Sequence, residues 1–152
     1  MKKLIRCFDH YGKEHNISAE KFVFRASAYG VLSDDNTILM VQERWSKLWE
    51  FPGGGVKTDE RIDAALKREF LEETGLKVRI SKLFSYKEDF FYAEDRDQAW
   101  HSLRFIFLVT KASGTLNPHG NNDDIIAARF IEKKNLSLHN TKPAIYSLLK
   151  SL

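Results

Sequence analysis

A glycine run followed by a helix that carries glutamates constrains this chain more than any other feature. Three glycines, Gly53–Gly55, precede residues 61–74, whose apolar side chains recur at helical spacing. Asp59 or Thr58 is positioned to cap the start of this helix, and Gly75 to end it. The sequence therefore predicts a flexible loop that leads directly into one helix.

Two of the glutamates lie on the apolar side of the predicted helix. At about 100° per residue, Glu69 and Glu73 fall within the arc formed by Ile62, Leu66 and Phe70. A carboxylate that faces an apolar surface must be neutralised, paired or bound to a cation. The helix thus predicts a polar site inside the protein rather than a surface that only packs.

The spacing of the carboxylates favours a metal ion as their partner. Glu69, Glu72 and Glu73 stand at positions i, i+3 and i+4 and would repel one another without a cation. Oxygen ligands of this kind suit Mg²⁺, with Mn²⁺ as an alternative, and Arg68 can orient one of them through a bidentate contact. The competing interpretation is an acidic patch in solvent, paired with neighbouring basic residues.

The rest of the chain reads as a β-rich middle with two helices. Residues 22–32 and 37–41 are apolar and flank turn residues at 33–36, which predicts a hairpin. Residues 87–98 are largely polar and acidic, which predicts a long functional loop. The other predicted elements are strands at 76–86, 102–111 and 125–131, the second of them central, and a helix at 141–152.

Composition limits the class of protein. The 152 residues suit one domain over 1–152, with residues 1–20 as an N-terminal extension or strand. Lysine and arginine total 24 against 21 acidic residues, a net charge of +3, which gives no basis for a nucleic-acid partner. The longest apolar run, residues 105–109, is too short to cross a membrane, and a single cysteine excludes an internal disulfide. We expect a cytoplasmic protein that binds neither membranes nor nucleic acid.

Residues 54–76 resemble the Nudix box, the motif of the Nudix hydrolase family (MutT-like). Gly54 is followed after five residues by Glu60, and after seven more by the run REFLEETGL at residues 68–76. Every fixed position of the motif is occupied. The resemblance implies an α+β fold, an α/β/α sandwich with a mixed β-sheet between helices. It also implies hydrolysis of nucleoside diphosphates linked to another group.

The resemblance implies roles for individual residues of the motif. Glu69, Glu72 and Glu73 would be the metal ligands, joined by the backbone carbonyl of Gly54, and Arg68 would hold the glutamates in place. Mg²⁺ would then bridge phosphate oxygens and activate the water that attacks a phosphorus of the diphosphate.

An acidic residue outside the motif is expected to act as a base or a further ligand. Asp124 is the best candidate, because the apolar segment that follows it aligns with a strand of the family. The competing candidates are Asp123, Glu88, Glu94 and Asp95.

Further candidates would contact the substrate. Gly53 and Gly54 lie in the glycine run, and Arg25 and Arg44, on or just after the hairpin strands, are placed to reach phosphates. Phe91 is the candidate for stacking on a nucleobase, although its aromatic neighbourhood could instead pack as core or lid. The other members of that aromatic group are Phe90, Tyr92 and Trp100.

Together with the resemblance, these residues predict a Mg²⁺-dependent pyrophosphohydrolase. The absence of an added domain favours a nucleoside triphosphate or an oxidised nucleotide as the substrate. A nucleotide sugar or ADP-ribose is the alternative substrate. The alternative from another functional class is a domain that senses a nucleotide without catalysing its hydrolysis. Such domains usually lose one or more of the Nudix-box glutamates, and this chain keeps all of them. A homodimer is compatible with the family.

Overall fold

The computed structural model describes residues 2–9 and 11–152, without the side chain of Asp95. Most of the chain is β-structure, and two helices pack against it. In chain order the elements are β1 (Leu4–Phe8), β2 (Glu14–Ser18), β3 (Phe22–Val31), β4 (Ser33–Asp34), β5 (Thr37–Glu43), β6 (Trp49–Glu50), β7 (Gly53–Gly55), α1 (Ile62–Thr74), β8 (Leu76–Ala93), β9 (Gln98–Gly114), β10 (Ile125–Glu132) and α2 (Pro143–Leu149).

The strands form two sheets. The first has six strands in the order β2-β1-β8-β9-β3-β7, and the second has the order β10-β5-β4 with β6 paired to β5. In the first sheet β1 runs parallel to β8 and β3 parallel to β9, while the other pairs are antiparallel, so this sheet is mixed. The strand predicted to be central, now β9, lies between β8 and β3.

The hairpin predicted from residues 22–32 and 37–41 is wrong as a pair of long strands. β3 lies beside β9 in the first sheet, whereas β5 pairs with β10 in the second. Only the short β4 pairs with the start of β5, across the predicted turn. Both long segments are apolar enough to be interior strands, and each takes its backbone hydrogen bonds from a different partner.

The long loop predicted for residues 87–98 is also wrong. β8 continues to Ala93 and pairs with β9 up to Gln98, so the connection is a short 3₁₀ turn at Glu94–Arg96 and one further residue. The charged residues tolerate this position because they are paired across the ladder. Asp89 bonds to Arg104, and Glu88 to His101.

Helix α1 begins at Ile62, with Arg61 as the N-cap residue and without a side-chain cap. The predicted caps, Thr58 and Asp59, are therefore wrong; the turn before the helix is closed instead by Glu60, whose carboxylate accepts the Lys57 N–H at 3.3 Å. Gly75 ends the helix as predicted, in a left-handed conformation with φ of 75°.

The helices cover opposite faces of the first sheet. On one face, Leu66 and Phe70 of α1 pack with Ala28 and Val109. On the other face, α2 contributes Ile145, Leu148 and Leu149 to a second core with Val31 and Ile106. This is the predicted α+β sandwich. Over the part of the chain that the structure describes, neither helix is long and apolar enough to cross a membrane.

Candidate active site

A cavity of about 480 Å³ opens on the face of the first sheet that α2 covers. Its walls come from the first sheet, from the second sheet with the segment that follows β5, from the start of α2, and from the loop before β10. The residues that line it are Phe8, Asp9, Gly12, Arg25, Ser27, Tyr29, Glu43, Ser46, Leu48, Glu50, Gly53, Gly54, Glu73, Phe91, Trp100, Ser102, Arg104, Asp124, Lys142, Pro143, Ala144 and Ile145.

The floor of the cavity is a set of rows across the first sheet. Because alternate residues of a strand share a face, the alternate residues over 25–29 of β3 and over 100–104 of β9 line the cavity. One end of the floor is a row with Phe8, Phe91 and Trp100 as neighbours in register. At the other end Tyr29 lies opposite Gly53, where the edge strand β7 begins.

Helix α1 packs on the opposite face, and the glycines of the edge strand let Glu73 reach the cavity and let Glu69 approach the strand. A Cβ on Gly54 would lie 2.7 Å from the carboxylate carbon of Glu69. Gly53 has a φ of 148° and no room for a side chain against the backbone of Ala28. The glycine run is therefore required by close approach, not by flexibility.

Glu73 is the most buried charged group of the site, with 3% of its surface exposed. Its Oε2 accepts the Gly53 N–H at 2.9 Å. None of the ion pairs found among the described residues includes it. Burial raises the pKa of Glu73 well above its ordinary value, and the nearby carboxylates of Glu50, Glu69 and Asp124 raise it further.

Glu69 and Glu72 differ from Glu73 because they face Arg68. The Arg68 guanidinium donates to Glu69 at 2.7 Å and, at 3.4 Å, to Glu72, whose side chain is half exposed. Glu69 thus lies between the arginine and the glycine strand, and Glu72 lies towards solvent.

Arg68 forms a brace behind the glutamates. Its other two nitrogens donate to Glu60 at 2.8 and 2.9 Å, in bidentate geometry, and one also donates to the carbonyl of Gly55 at 3.2 Å. The hydrogen bonds from Arg68 lower the pKa of Glu60 to about 2. The brace ties the loop before α1 to the helix that carries the metal candidates.

Sequence reasoning missed an ion-pair group on the cavity wall. Lys142 donates to Glu43 at 2.9 Å and lies 3.0 Å from Glu50. Burial alone would lower the pKa of Lys142, but the two carboxylates outweigh it and raise the pKa. Burial raises the pKa of the Tyr29 hydroxyl, with Glu50 adding to the shift. Glu50 stands three residues before the glycine run and could have been noted; Lys142 carries no local signal.

Of the acidic candidates outside the motif, the structure brings Asp124 to the cavity. Its Oδ1 accepts from the Asn121 amide at 2.6 Å. Glu88 is paired with His101 and Glu94 with Lys13, away from the glutamates of α1. Asp123 does not line the cavity, and the side chain of Asp95 lies outside the described part of the chain.

The two candidate arginines have different surroundings. Arg25 lines the cavity, and its guanidinium lies 4.6 Å from the Trp100 ring centroid. Arg44 does not line the cavity. Its side chain donates to the backbone carbonyls of Asn122 and Asp123, and so fixes the loop that carries Asp124.

The aromatic group around Phe91 is divided between the two faces of β8. Phe91 stacks with Trp100 on the cavity face, with centroids 6.0 Å apart and 11° between the planes. Phe90 points to the opposite face, where it stacks on His101 at 4.5 Å. Tyr92 lies against His15 of the N-terminal hairpin. This division follows from the strand that replaces the predicted loop.

A second group of potential metal-binding side chains, Asp9, His15 and Glu94, converges within 4.8 Å at the N-terminal turn. Asp9 already accepts from the backbone N–H groups of Tyr11 and Lys13, and it bonds to His15 at 2.9 Å. These hydrogen bonds account for the convergence of the three side chains, because they stabilise the turn.

The carboxylates near Glu73 fit a hard divalent cation. Glu73 and Glu69 approach the glycine edge from α1, while Glu50 and Asp124 lie close enough to raise the pKa of Glu73. Carboxylate and carbonyl oxygens are the ligands that Mg²⁺ prefers. A cation here would offset the mutual repulsion of these groups and the burial of Glu73.

Comparison with known proteins identifies the family to which this chain belongs. The family model described as NUDIX domain matches residues 23–152. An ADP-ribose pyrophosphatase of Methanocaldococcus jannaschii is 29% identical over 110 residues, which cover 70% of this chain and 61% of the relative. An 8-oxo-dGTP diphosphatase of Buchnera aphidicola is 34% identical over 91 residues, which cover 57% of this chain and 64% of the relative. The matched region thus spans about three fifths of these curated relatives.

Solved structures share the fold. A MutT NUDIX hydrolase from Burkholderia pseudomallei superposes with a TM-score of 0.71 at 19% identity, covering 86% of this chain and 98% of that one. An ADP-ribose pyrophosphatase from Streptococcus suis gives a TM-score of 0.61 at 20% identity, covering 84% and 90%. The predicted fold class is therefore confirmed.

Proposed function

Because the chain belongs to the NUDIX domain family, we propose that it is a Mg²⁺-dependent pyrophosphohydrolase of nucleoside diphosphate derivatives. One observation carries the proposal. Glu73 is buried at the glycine edge of the cavity, with other carboxylates close enough to raise its pKa and with no described cation paired to it. Such a carboxylate is costly for the fold, and a functional cation explains why it is kept.

Each residue of the site has a distinct role in this proposal. Glu73 and Glu69 hold the cation from α1, with Glu72 as the outer ligand, and the carbonyl of Gly54 is a further ligand. When bound, Mg²⁺ neutralises phosphate charge and lowers the pKa of the attacking water. Arg68 fixes the position of Glu69 through its 2.7 Å hydrogen bond.

The residues around the cation complete the reaction. Asp124 takes the proton from the attacking water as general base. Arg25 contacts the phosphates from the floor of the cavity, and Gly53 and Gly54 let the diphosphate approach the backbone. Arg44 acts on Asp124 through the loop carbonyls that it binds.

Two classes of substrate are supported to different extents. The aromatic row at the far end of the floor, with Phe91 and Trp100, suits the base that both classes carry, because a flat base stacks on aromatic rings. A nucleoside triphosphate or an oxidised nucleotide is the first candidate, supported by the relative named 8-oxo-dGTP diphosphatase. ADP-ribose or a nucleotide sugar is the second candidate, supported by the relative named ADP-ribose pyrophosphatase.

A substrate panel tests the proposal. The purified full chain is incubated with dNTPs, oxidised dGTP, ADP-ribose, nucleotide sugars and dinucleoside polyphosphates, with Mg²⁺ or Mn²⁺, and the phosphate products are measured. We expect turnover of at least one compound, highest for a nucleoside triphosphate, and its loss when EDTA removes the metal. Absence of turnover on the whole panel would overturn the proposal, and nucleotide binding without hydrolysis would point to a sensing domain.

A further inference from the structure

We infer that the N-terminal hairpin, β1 and β2, forms the end wall of a subsite for the substrate's base, and that this subsite takes a flat aromatic base in preference to a sugar. The inference rests on the proposed function and names the part of the molecule that selects its substrate. The hairpin lies before residue 23, where the family match begins.

The hairpin is joined to the sheet at the cavity. Phe8, the last residue of β1, pairs in register with Phe91 of β8. Phe8, Asp9 and Gly12 of the hairpin all line the cavity. These three residues thus close the cavity at the end opposite the glycine strand.

The order of the rows matches a substrate with a base at one end and phosphates at the other. The first row holds Phe8, Phe91 and Trp100, and the row two residues further along holds Arg25 and Ser102. The next two rows contain Gly55 and Gly53. By the rise of a β-strand, they lie about 13 and 20 Å from the first row. A base on the aromatic row would therefore place its diphosphate towards Glu69 and Glu73.

The exposure of Phe8 argues against a role in packing alone. Phe8 keeps 45% of its surface exposed, although Cys7 beside it is fully buried. Arg6 lies over the Phe8 ring at 5.3 Å from the centroid, as Arg25 does over Trp100. Aromatic rings and guanidinium planes are the groups on which bases stack.

The test compares Phe8→Ala with Leu4→Ala. Leu4 lies on the same strand and the same side, is 62% exposed and does not line the cavity, so it controls for loss of apolar surface on the hairpin. Affinity for dGMP and for ribose 5-phosphate, which has no base, is measured by calorimetry in Mg²⁺. Melting temperatures verify that both variants fold.

We expect wild type to bind dGMP more tightly than ribose 5-phosphate, and Phe8→Ala to weaken dGMP binding by about tenfold. Ribose 5-phosphate binding, and all binding by Leu4→Ala, should equal wild type. Equal dGMP affinity in Phe8→Ala and wild type, or no preference of wild type for dGMP, would overturn the inference. Calorimetry needs no turnover, so these outcomes are separate from failure of the substrate panel.

Discussion

The cavity side of α1 and the brace on its outer side hold glutamates of the same motif in opposite electrostatic states. On the cavity side, Glu73 is buried without a described cation, and its pKa is raised. At the brace, Glu60 is held by two hydrogen bonds from Arg68, and its pKa is lowered to about 2. The two side chains have the same chemistry, so the difference comes from their partners.

This difference separates residues that stabilise the fold from residues that are kept for a ligand. A paired carboxylate contributes to stability, whereas a buried carboxylate without a cation reduces it until a ligand arrives. Stability and activity measured on matched variants therefore test whether the two sides of α1 differ in this way.

The largest effect is expected for Glu73→Gln on the cavity side. Removing the charge should lower kcat by at least about a hundredfold, because the cation loses a ligand. The melting temperature should stay the same or rise, because a neutral side chain of the same shape costs less to bury. Activity assays and thermal unfolding without metal check this. Full activity, or a clear loss of stability, would contradict the assignment of Glu73.

A smaller effect is expected for Lys142→Met, which removes a cation that is paired with two carboxylates on the cavity side. Glu43 and Glu50, both mostly buried, would lose the ammonium group that lies 2.9 and 3.0 Å from them, although Glu43 keeps its hydrogen bond from the Ser46 hydroxyl. We expect a loss of about 2–3 kcal/mol in the free energy of unfolding, measured with urea. Adding Glu43→Gln and Glu50→Gln should recover most of it. If the triple variant is no more stable than Lys142→Met, the loss comes from packing instead.

The smallest effect is a pH dependence at the brace. Glu60 contributes stability that is fully present above its ordinary pKa of 4.5 and is lost as the pH falls through about 2. Glu60→Gln should therefore be less stable than wild type at neutral pH, with a difference that shrinks between pH 4.5 and 2. Urea unfolding across this range checks it. Glu72→Gln is the control, since Glu72 is exposed and lies 3.4 Å from the same arginine. A difference that is constant with pH would contradict the ion pair.

The sequence predicts those features of the site that depend on the spacing of residues within one helix. Helical periodicity placed Glu69 and Glu73 on the inner side of α1, and Glu73 is indeed buried. The spacing could not show Lys142 or Phe8, because tertiary packing brings these residues to the cavity from separate elements. Their side chains carry no pattern of their own.

The strand errors have a common cause. The sequence predicts that strand β8 ends near Tyr86 because charged residues follow, but a strand with one face open to solvent or to a cavity carries such residues. The register of β8 on β9 also shifts at three places, between Lys77 and Val78, between Ile80 and Lys82, and between Leu83 and Ser85. Each shift interrupts the alternation from which a strand is recognised.

The register of β8 also determines how an insertion or a deletion can alter the cavity. Phe90 and Phe91 are neighbours in sequence, yet one belongs to an outer aromatic cluster and the other to the cavity floor. Deletion or insertion of one residue between Ser85 and Phe90 would exchange the two sets of side chains across the sheet. A single indel in this strand can therefore change which side chain β8 presents to the cavity, while leaving every residue of the Nudix box in place.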